Sequence, residues 1–461
     1  MTALLVWQVL LHEALLIVAI GILLSGLDDL FVDLVFITRL IWRRLFIYSR
    51  HDRASAESLR GSDPAAMAII VPAWDEAAVI GAMLTDLTTR LDYPRYRVFV
   101  GLYPNDPAGQ AAVAAVGDHR IQPVLCKRPG PTTKADCLNH LWAAVVAHEA
   151  ATAIPFKAVV LHDAEDVIHP QELWIYDALI PRLAMVQLPV LPLPDATSRW
   201  VAGHYLDEFA ENHTKDVVVR EALGAAVPSA GVATAIERRI LGRIADRAGG
   251  APFEAGCLTE DYELGHRIKA LGGRGALVRI RAQGETAVVA TREHFPATLA
   301  TAVRQKSRWL TGIALAGWDR LGWPGGIADC YMLLRDRKAL IASLLTVCAY
   351  ALSLLLLVDQ GLRAAVPALA ALPPLLDAGL RGLLLLNAAL LLWRLLMRVV
   401  LTTHNYGAGE GLRAIPRALV SNAINAIAAF QAVRRYSASL KRGTGLTWDK
   451  TAHRFPGTDA T

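Results

Sequence analysis

The chain has 461 residues, of which 54% are hydrophobic and 19% are charged, and its mean hydropathy is +0.35. This composition excludes both an ordinary soluble enzyme and a pure bundle of membrane helices, and it predicts a soluble domain joined to several membrane segments. The formal net charge is +5, and the basic residues are clustered, which favours contact with a membrane over binding of nucleic acid. The five cysteines show no paired or metal-ligand spacing, which favours a reduced, cytosolic environment for the main domain.

The first predicted element is an apolar run over residues 3–27, which is long enough to cross a bilayer. It lacks the basic start and the small-residue cleavage site of a signal peptide. His12 and Glu13 either face other protein or lie near the outer end of the span. Arginines follow between residues 39 and 60 and none precedes the run, so the positive-inside rule places the N-terminus outside. We therefore assign residues 1–27 to a transmembrane helix and residues 28–61 to a cytoplasmic interfacial helix and linker.

Short apolar strands then alternate with helices across residues 62–297. This alternation predicts an α/β domain with mostly parallel strands and with helices on both faces of the sheet. Neither GxGxxG nor GxxxxGKS/T is present, so neither a dinucleotide fold nor a P-loop is supported. The main predicted elements, strand and helix in turn, are residues 67–73, 76–89, 97–103, 134–148, 157–161, 171–179 and 185–191.

The stretch Val159–Pro170, VVLHDAEDVIHP, carries the clearest chemical signal. Its β-branched strand ends in Asp163, Glu165 and Asp166, at the position where ligands bind in open α/β sheets. Carboxylates this close repel one another, and burying them without compensation is costly. A magnesium or manganese ion would remove both problems and could in turn hold a diphosphate. The alternative is a solvated acidic turn that caps the helix at residues 171–179.

A second acidic cluster, GCLTEDYELGHRI, covers residues 256–268 and is predicted to begin as a loop and continue as a helix. Thr259 is suited to cap this helix, in which case Glu260 and Asp261 would only complement its dipole. Residues 298–335 combine basic and aromatic side chains with small residues, which is typical of an amphipathic helix at a membrane surface.

Two later apolar runs, residues 339–358 and 380–401, are predicted to span the membrane. Basic residues precede the first and follow the second, so the loop between them is expected outside and the main domain in the cytoplasm. If the weaker run at residues 418–433 also crossed, it would carry basic residues outside, against this rule. We therefore assign residues 405–461 to a cytoplasmic interfacial helix and tail.

Six short motifs occur in a fixed order between these membrane segments. Together they resemble family-2 glycosyltransferases of the GT-A fold, in particular membrane-bound processive enzymes such as cellulose and hyaluronan synthases and the NfrB-type phage-adsorption protein B group. The resemblance covers nearly the whole chain, as far as WDKTAHRFP at residues 448–456. The motifs are AIIVPAWDEAAVI (68–80), GLYPNDP (101–107), KADCLNHLW (134–142), HDAED (162–166), TED (259–261) and QKSRW (305–309).

The resemblance implies that a uridine nucleotide lies at the loop after the first strand, with Trp74 near the base, Glu76 on the ribose and Asp106 on the uracil. From the residues alone, packing explains Trp74, a turn explains Asn105 and Asp106, and solvation of a surface side chain explains Lys134. The residues implied in nucleotide-sugar binding are Pro72, Trp74, Glu76, Asn105, Asp106, Lys134 and Asp163.

The family binds its metal through an Asp-x-Asp pattern, whereas this chain has Asp163 and Glu165 followed by Asp166. By resemblance Asp163 is a metal ligand, and the second ligand is either Glu165 or Asp166. The catalytic residues implied are Asp261, as general base for the acceptor hydroxyl, and Glu260 beside it. A general base of this kind contributes roughly a hundred- to ten-thousand-fold in rate, and direct attack without a second carboxylate nucleophile implies inversion at the anomeric carbon.

Gln305, Arg308 and Trp309 fall on one face of the predicted helix. In the family this motif binds the acceptor end of the glycan and closes over the nucleotide, with the tryptophan stacked on a sugar ring. The alternative makes Trp309 a membrane anchor and Arg308 a contact for lipid phosphate. The segment PSAGVATAIERR at residues 228–239 is expected to add a glycine-permitted turn near the acceptor.

The expected activity is therefore Mg²⁺- or Mn²⁺-dependent transfer of a hexose or N-acetylhexosamine from a UDP-sugar to a polysaccharide or lipid-linked acceptor, at the cytoplasmic face of the bacterial inner membrane. One alternative is transfer of a single sugar to polyprenyl phosphate, and another is a docking or receptor-assembly protein with a vestigial transferase domain. Three spans are few for a polymer exporter, so an export partner or self-association is expected. A cyclic di-GMP-binding domain, frequent in the resembling group, is not expected after residue 456.

Overall fold

The computed structural model describes residues 2–282, 287–366, 369, 374–442 and 454–457. A seven-stranded sheet with helices on both faces forms the soluble part and is joined to long apolar helices. The strands are β1 Met67–Pro72, β2 Tyr96–Leu102, β3 Ile121–Leu125, β4 Ala158–Leu161, β5 Met185–Gln187, β6 Thr234–Glu237 and β7 Gly275–Leu277. The α-helices are α1 Thr2–Trp42, α2 Ile80–Arg90, α3 Pro107–Val116, α4 Lys134–Thr152, α5 Glu172–Leu179, α6 Gly203–Glu211, α7 Val217–Ala222, α8 Arg238–Arg247, α9 Glu260–Ala270, α10 Leu299–Leu310, α11 Gly317–Leu321, α12 Ile327–Ala365, α13 Ala378–Tyr406 and α14 Ala408–Arg442.

The sheet follows the order β3-β2-β1-β4-β6-β5-β7. β1 pairs in parallel with β2 and β4, β2 with β3, and β5 with β7, whereas β6 runs antiparallel to both β4 and β5. The predicted α/β fold with mostly parallel strands is therefore confirmed. Strands β3, β6 and β7, of five, four and three residues, are additional to the predicted ones.

Side chains of the central strands alternate between two buried layers, as the two-residue period of a strand requires. Met67, Ile69 and Val71 of β1 join the layer that contains α2, α3 and α5. Ala68 and Ile70 join the layer on the other face, which contains α4, α8 and α9. Both faces of β1 are thus buried, which explains its uninterrupted apolar sequence.

One predicted helix begins later, and one predicted strand ends earlier, than its hydrophobic pattern indicates. The helix predicted at residues 76–89 begins at Ile80, because the chain first makes a loop in which Asp75 has a φ of 54°. The strand predicted at residues 185–191 ends at Gln187, two residues before Pro189, which has no N–H to donate to a ladder.

Within the described residues, three helices are long and apolar enough to cross a membrane, namely α1, α12 and α13. The predicted spans at residues 339–358 and 380–401 lie inside α12 and α13. α1 runs without a break through the boundary predicted at residue 27, and a π-helical turn, Arg43–Ile47, follows it.

Ion pairs connect the apolar helices with one another and with the soluble part. Asp29 of α1 lies 3.2 Å from Arg335 and 3.0 Å from Lys338 of α12. Asp33 of α1 accepts a hydrogen bond of 2.6 Å from Lys215, which lies between α6 and α7. The helices and the sheet domain are therefore held together by charge as well as by apolar contact.

The motif WDKTAHRFP lies outside the described residues except for its last three positions. Arg454 Nη2 lies 2.5 Å from Asp195 Oδ2, and Phe455 is buried in the same layer as α2 and α5. The chain beyond the apolar helices therefore returns to the sheet.

A fully buried arginine connects α14 with α6. Arg417 is 0% exposed, and its Nη2 lies 2.7 Å from Asp207 Oδ1 while its Nη1 lies 2.6 Å from Glu410 Oε2. Gly203 is required beside it, because a Cβ there would lie 2.7 Å from Nη1.

We expect Arg417→Ala to lower the free energy of unfolding by about 3–5 kcal/mol, because it leaves a buried carboxylate without its partner. Arg413→Ala is the matched control: this arginine also pairs with Glu410 but is 41% exposed, so a loss of only about 0–1 kcal/mol is expected. Thermal unfolding of the detergent-solubilised protein measures both. Equal losses would contradict a special role for the buried pair.

Candidate active site

Three strand ends meet at one edge of the sheet. β1 and β4 are parallel neighbours with Ile70 opposite Leu161, so the loops that follow them emerge side by side. β6 is antiparallel to β4 with Thr234 opposite Leu161, so the loop that precedes β6 reaches the same edge. A cleft of about 1070 Å³, including the part open to solvent, lies over this edge.

This cleft gathers most of the residues that the sequence singles out, although they are far apart in the chain. The predicted site residues that line it are Pro72, Trp74, Glu76, Lys134, Asp163, Glu165, Glu260, Asp261, Gln305, Arg308 and Trp309. Asn105, Asp106 and Asp166 do not line it.

Asn105 and Asp106 hold the backbone next to the cleft. The Asn105 side chain donates to the carbonyl oxygen of Gly130 and accepts from its N–H, both at 2.7 Å. Asp106 caps α3 by accepting from Gly109 N–H at 2.9 Å, and it accepts from Asp75 N–H at 3.0 Å. The turn alternative thus describes their observed contacts, and contact of either side chain with a base would compete with these hydrogen bonds.

Trp74 forms one wall of the cleft. Its ring lies edge-on to that of Tyr103, with 4.9 Å between centroids. A Cβ at position 130 would lie 2.4 Å from the indole, so only glycine allows this close approach. The hydrogen bonds between Asn105 and Gly130 therefore help to fix the position of Trp74.

Lys134 is the first residue of α4, which Thr133 caps by accepting from Asp136 N–H at 3.1 Å. Its Nζ lies 2.5 Å from Asp163 Oδ1. Burial by itself would lower the pKa of Lys134, but the negative charges of Asp163, Glu260 and Asp261 outweigh burial and raise that pKa. Lys134 therefore keeps its positive charge among the acids.

Asp261 lies in the first turn of α9, against the loop before β6. Gly231 of this loop has a φ of 79°, and a Cβ there would lie 2.6 Å from Asp261 Oδ2. Burial raises the pKa of Asp261, and burial together with Asp261 raises the pKa of Glu260 to about 7. Thr259 occupies the predicted cap position of α9, but its side chain makes no capping hydrogen bond.

Asp166 faces the protein interior. Its Oδ2 lies 2.6 Å from His162 Nδ1 and accepts from the N–H of Asp163 at 3.1 Å. His162 Nε2 lies 2.8 Å from Glu172 Oε1, and the side chains of His162, Asp166 and Glu172 are all 0% exposed. Of the two open choices, only Glu165 accompanies Asp163 into the cleft.

The helix α10 contributes the opposite wall. Within the described structure, Gln305 Oε1 and Arg308 Nε are buried without a hydrogen-bond partner. Such atoms are uncommon in native proteins and point to a ligand or to water. The Trp309 ring lies 6.4 Å from that of Phe209, which also lines the cleft.

Glu293 is a cleft residue that the motifs do not identify. It follows Arg292, whose backbone pairs with Val167 through hydrogen bonds of 2.7 and 3.1 Å, and this bridge brings it beside the acidic turn. Burial and the charges of the turn raise the pKa of Glu293 well above its usual range. A lone acid in TREHF has no spacing that could have identified it.

Acids outnumber bases around the cleft, which bears on metal binding. The carboxylates that line it are Glu76, Asp163, Glu165, Glu260, Asp261 and Glu293, and the cations are Lys134 and Arg308. Among the residues that the structure describes, no three His, Cys, Asp or Glu side chains are already grouped as ligands. The surplus of hard oxygen donors nevertheless fits a divalent cation of the Mg²⁺ or Mn²⁺ type.

Comparisons with known proteins agree with this architecture. The model of the family described as "Glycosyltransferase like family 2" matches residues 64–312. Two curated relatives are each 38% identical to the chain over an aligned length of 471 residues, and each alignment covers 98% of this chain. They are bacteriophage adsorption protein B of Escherichia coli (strain K12) and bacteriophage N4 adsorption protein B of Escherichia coli O157:H7. The chain spans 63% of the length of these two relatives.

A solved structure supports the predicted GT-A fold. The mannosyltransferase of Pyrobaculum calidifontis, in complex with GDP-Man and Mn²⁺, matches with a TM-score of 0.50 and 17% identity. The match covers 89% of this chain and 99% of that one. At this identity the likeness concerns the fold alone.

We expect Gly231→Ala to be more destabilising than Gly224→Ala. Both glycines have positive φ, of 79° and 75°, so both changes carry the backbone cost of about 1–2 kcal/mol. Only at Gly231 does the new methyl group meet a side chain, that of Asp261, whereas nothing lies within 4 Å at Gly224; overpacking there adds about 1–3 kcal/mol. Thermal unfolding compares the two variants, and equal losses would argue against the close contact.

Proposed function

The chain belongs to the glycosyltransferase like family 2, and we propose that it transfers a hexose or N-acetylhexosamine from a UDP-sugar to a growing polysaccharide, with inversion at the anomeric carbon. The observation that carries this proposal is the single cleft that holds both acidic motifs and the QKSRW helix. A donor on Asp163 and an acceptor on Trp309 would meet there, beside Asp261.

The nucleotide-sugar would occupy the side of the cleft lined by Pro72, Trp74 and Glu76. Trp74 offers an aromatic face for the base, and Lys134 offers a positive charge for the phosphates. Asp163 and Glu165 would hold Mg²⁺ or Mn²⁺, which when bound would stabilise negative charge on the departing diphosphate. The charge of the bound cation would offset that of the diphosphate, so the donor could enter the acidic cleft without adding net negative charge.

Asp261 would act as the general base, with Glu260 beside it. It would take the proton of the acceptor hydroxyl while the acceptor oxygen bonds to the anomeric carbon. The bond between that carbon and the UDP oxygen breaks, and UDP leaves with the electron pair. The close approach of Gly231 supports this role, because a side chain there would occupy the space of the Asp261 carboxylate that lines the cleft.

The acceptor would bind against α10. The buried, unpartnered atoms of Gln305 and Arg308 in the described structure would gain hydrogen-bond partners from sugar hydroxyls or phosphate. Trp309, next to Phe209, would stack on a sugar ring. Asn105, Asp106 and Asp166 would support the site from outside the cleft.

The membrane arrangement would place this reaction at the cytoplasmic face of the bacterial inner membrane, with α1, α12 and α13 as spans. The helix α14 would lie on the membrane surface, since Leu412, Leu419 and Phe430 are 62–70% exposed along one side while Ala414 and Ala428 are buried on the other. Export of a polymer past three spans would need a partner or self-association.

We expect Asp261→Asn to lower the rate of sugar transfer by about a hundred- to ten-thousand-fold, because the amide cannot accept the hydroxyl proton. Binding of UDP to this variant should persist, since Asp163, Lys134 and Trp74 are unchanged. The exposed Asp246 of α8 provides the control: Asp246→Asn should transfer sugar like the unmodified protein. Incorporation of labelled sugar measures the effect, and an active Asp261→Asn protein would refute the base assignment.

A panel of donors tests the substrate class. Purified protein with Mn²⁺ is expected to release UDP from UDP-glucose, UDP-N-acetylglucosamine or a related UDP-sugar, and to release little GDP from GDP-mannose. Release of GDP alone would contradict the proposed donor. Product size separates the acceptor classes, because a polymer supports the proposal whereas a lipid-linked monosaccharide supports transfer to polyprenyl phosphate.

A further inference from the structure

We propose that His162 is a positioning residue, which acts through Asp166 to hold the acidic turn so that Asp163 and Glu165 face the cleft. This inference rests on the proposed function, because it assumes that these two acids hold the divalent cation. His162 does not line the cleft and would not touch the substrate.

The first observation is the bridge that His162 makes between two elements. Its two ring nitrogens lie 2.6 Å from Asp166, in the turn after β4, and 2.8 Å from Glu172, the first residue of α5. Each ring nitrogen faces a carboxylate oxygen, so the ring connects the turn with α5 through both of its nitrogens. All three side chains are shielded completely from solvent.

The second observation joins this bridge to the turn that carries the acids. The same Asp166 Oδ2 that meets His162 accepts from the N–H of Asp163 at 3.1 Å, and Asp166 N–H lies 3.3 Å from the carbonyl oxygen of Asp163. The turn is thereby closed on its interior side. Asp163, Ala164 and Glu165 are left on the cleft side.

The third observation concerns the alternative that His162 only fills space in the core. An apolar residue of similar size could do that, and it would not require two buried carboxylates beside it. Asp166 and Glu172, one from each side of His162, are both buried, and burying two acids is costly unless a donor lies between them. The chain therefore keeps a polar bridge directly behind the acids that we assign to the metal.

Replacing a residue that orients a metal ligand through hydrogen bonds commonly weakens metal binding by about 10- to 100-fold. We therefore expect His162→Ala and Asp166→Ala to weaken Mn²⁺ binding by about 10- to 100-fold. Asp166→Asn keeps one oxygen that can accept from both His162 and Asp163, so it should stay within about threefold of the unmodified protein. His148→Ala, which removes a histidine on α4 away from the turn, is the matched control and should bind Mn²⁺ normally.

The experiment titrates Mn²⁺ into the detergent-solubilised full chain in the presence of UDP and follows free Mn²⁺ by electron paramagnetic resonance. Sugar transfer is measured in parallel as a function of Mn²⁺ concentration. A positioning role predicts that Asp166→Ala needs more Mn²⁺ for half-maximal transfer while its rate at saturating Mn²⁺ largely recovers. General misfolding would lower the rate at every Mn²⁺ concentration.

Two results would overturn the inference. Normal Mn²⁺ binding by Asp166→Ala would show that the turn does not depend on the bridge, and equal losses in Asp166→Ala and Asp166→Asn would make Asp166 a direct ligand. If the alanine variants do not fold, His162→Gln decides, since its amide cannot bridge both carboxylates: weaker Mn²⁺ binding supports the inference and unchanged binding overturns it. Normal Mn²⁺ binding by Asp163→Asn would instead overturn the metal assignment of the proposed function.

Discussion

The concentration of negative charge at one edge of the sheet is the constraint on which the rest of the site depends. Six carboxylates line the cleft, and one lysine, Lys134, lies 2.5 Å from Asp163 with its pKa raised by the acids around it. Like charges in a poorly solvated cleft raise one another's pKa unless cations or hydrogen-bond donors are supplied. Lys134, at the start of α4, and Arg308 of the QKSRW segment supply positive charge toward these acids. The polar bridge through His162 and Asp166 lies behind the turn that carries Asp163.

The short helix α6 relates this charged cleft to the apolar helices. Three of its acids each pair with a basic residue on a different helix, and its Phe209 lines the cleft beside Trp309. The pairs are Asp207 with Arg417 of α14, Glu208 with Lys306 of α10 and Glu211 with Arg398 of α13. Since Lys306 belongs to the QKSRW segment, α6 connects the cleft wall formed by α10 with α13, one of the proposed membrane spans.

Whether a site residue could be predicted from the sequence depends on how far apart in the chain the residues that position it are. The sequence identifies Asp163 and Asp261 as candidates, because Asp163 follows a strand and Asp261 lies at the start of a helix, each within a recognisable motif. It does not identify Glu293, since a backbone bridge between Val167 and Arg292, far apart in the chain, brings it to the cleft. Spacing alone also left Glu165 and Asp166 equivalent, whereas in the structure Glu165 lines the cleft and Asp166 faces His162 in the interior.

The return of the chain to the sheet after α14 has a consequence for biogenesis. Phe455 packs in the same buried layer as Met67, so residues made before and after α12 and α13 share one core. A ribosome releases Phe455 only after α12 and α13 have been synthesised. Final packing of that layer must therefore wait until α12 and α13 have been made, which couples maturation of the sheet domain to the synthesis of these apolar helices.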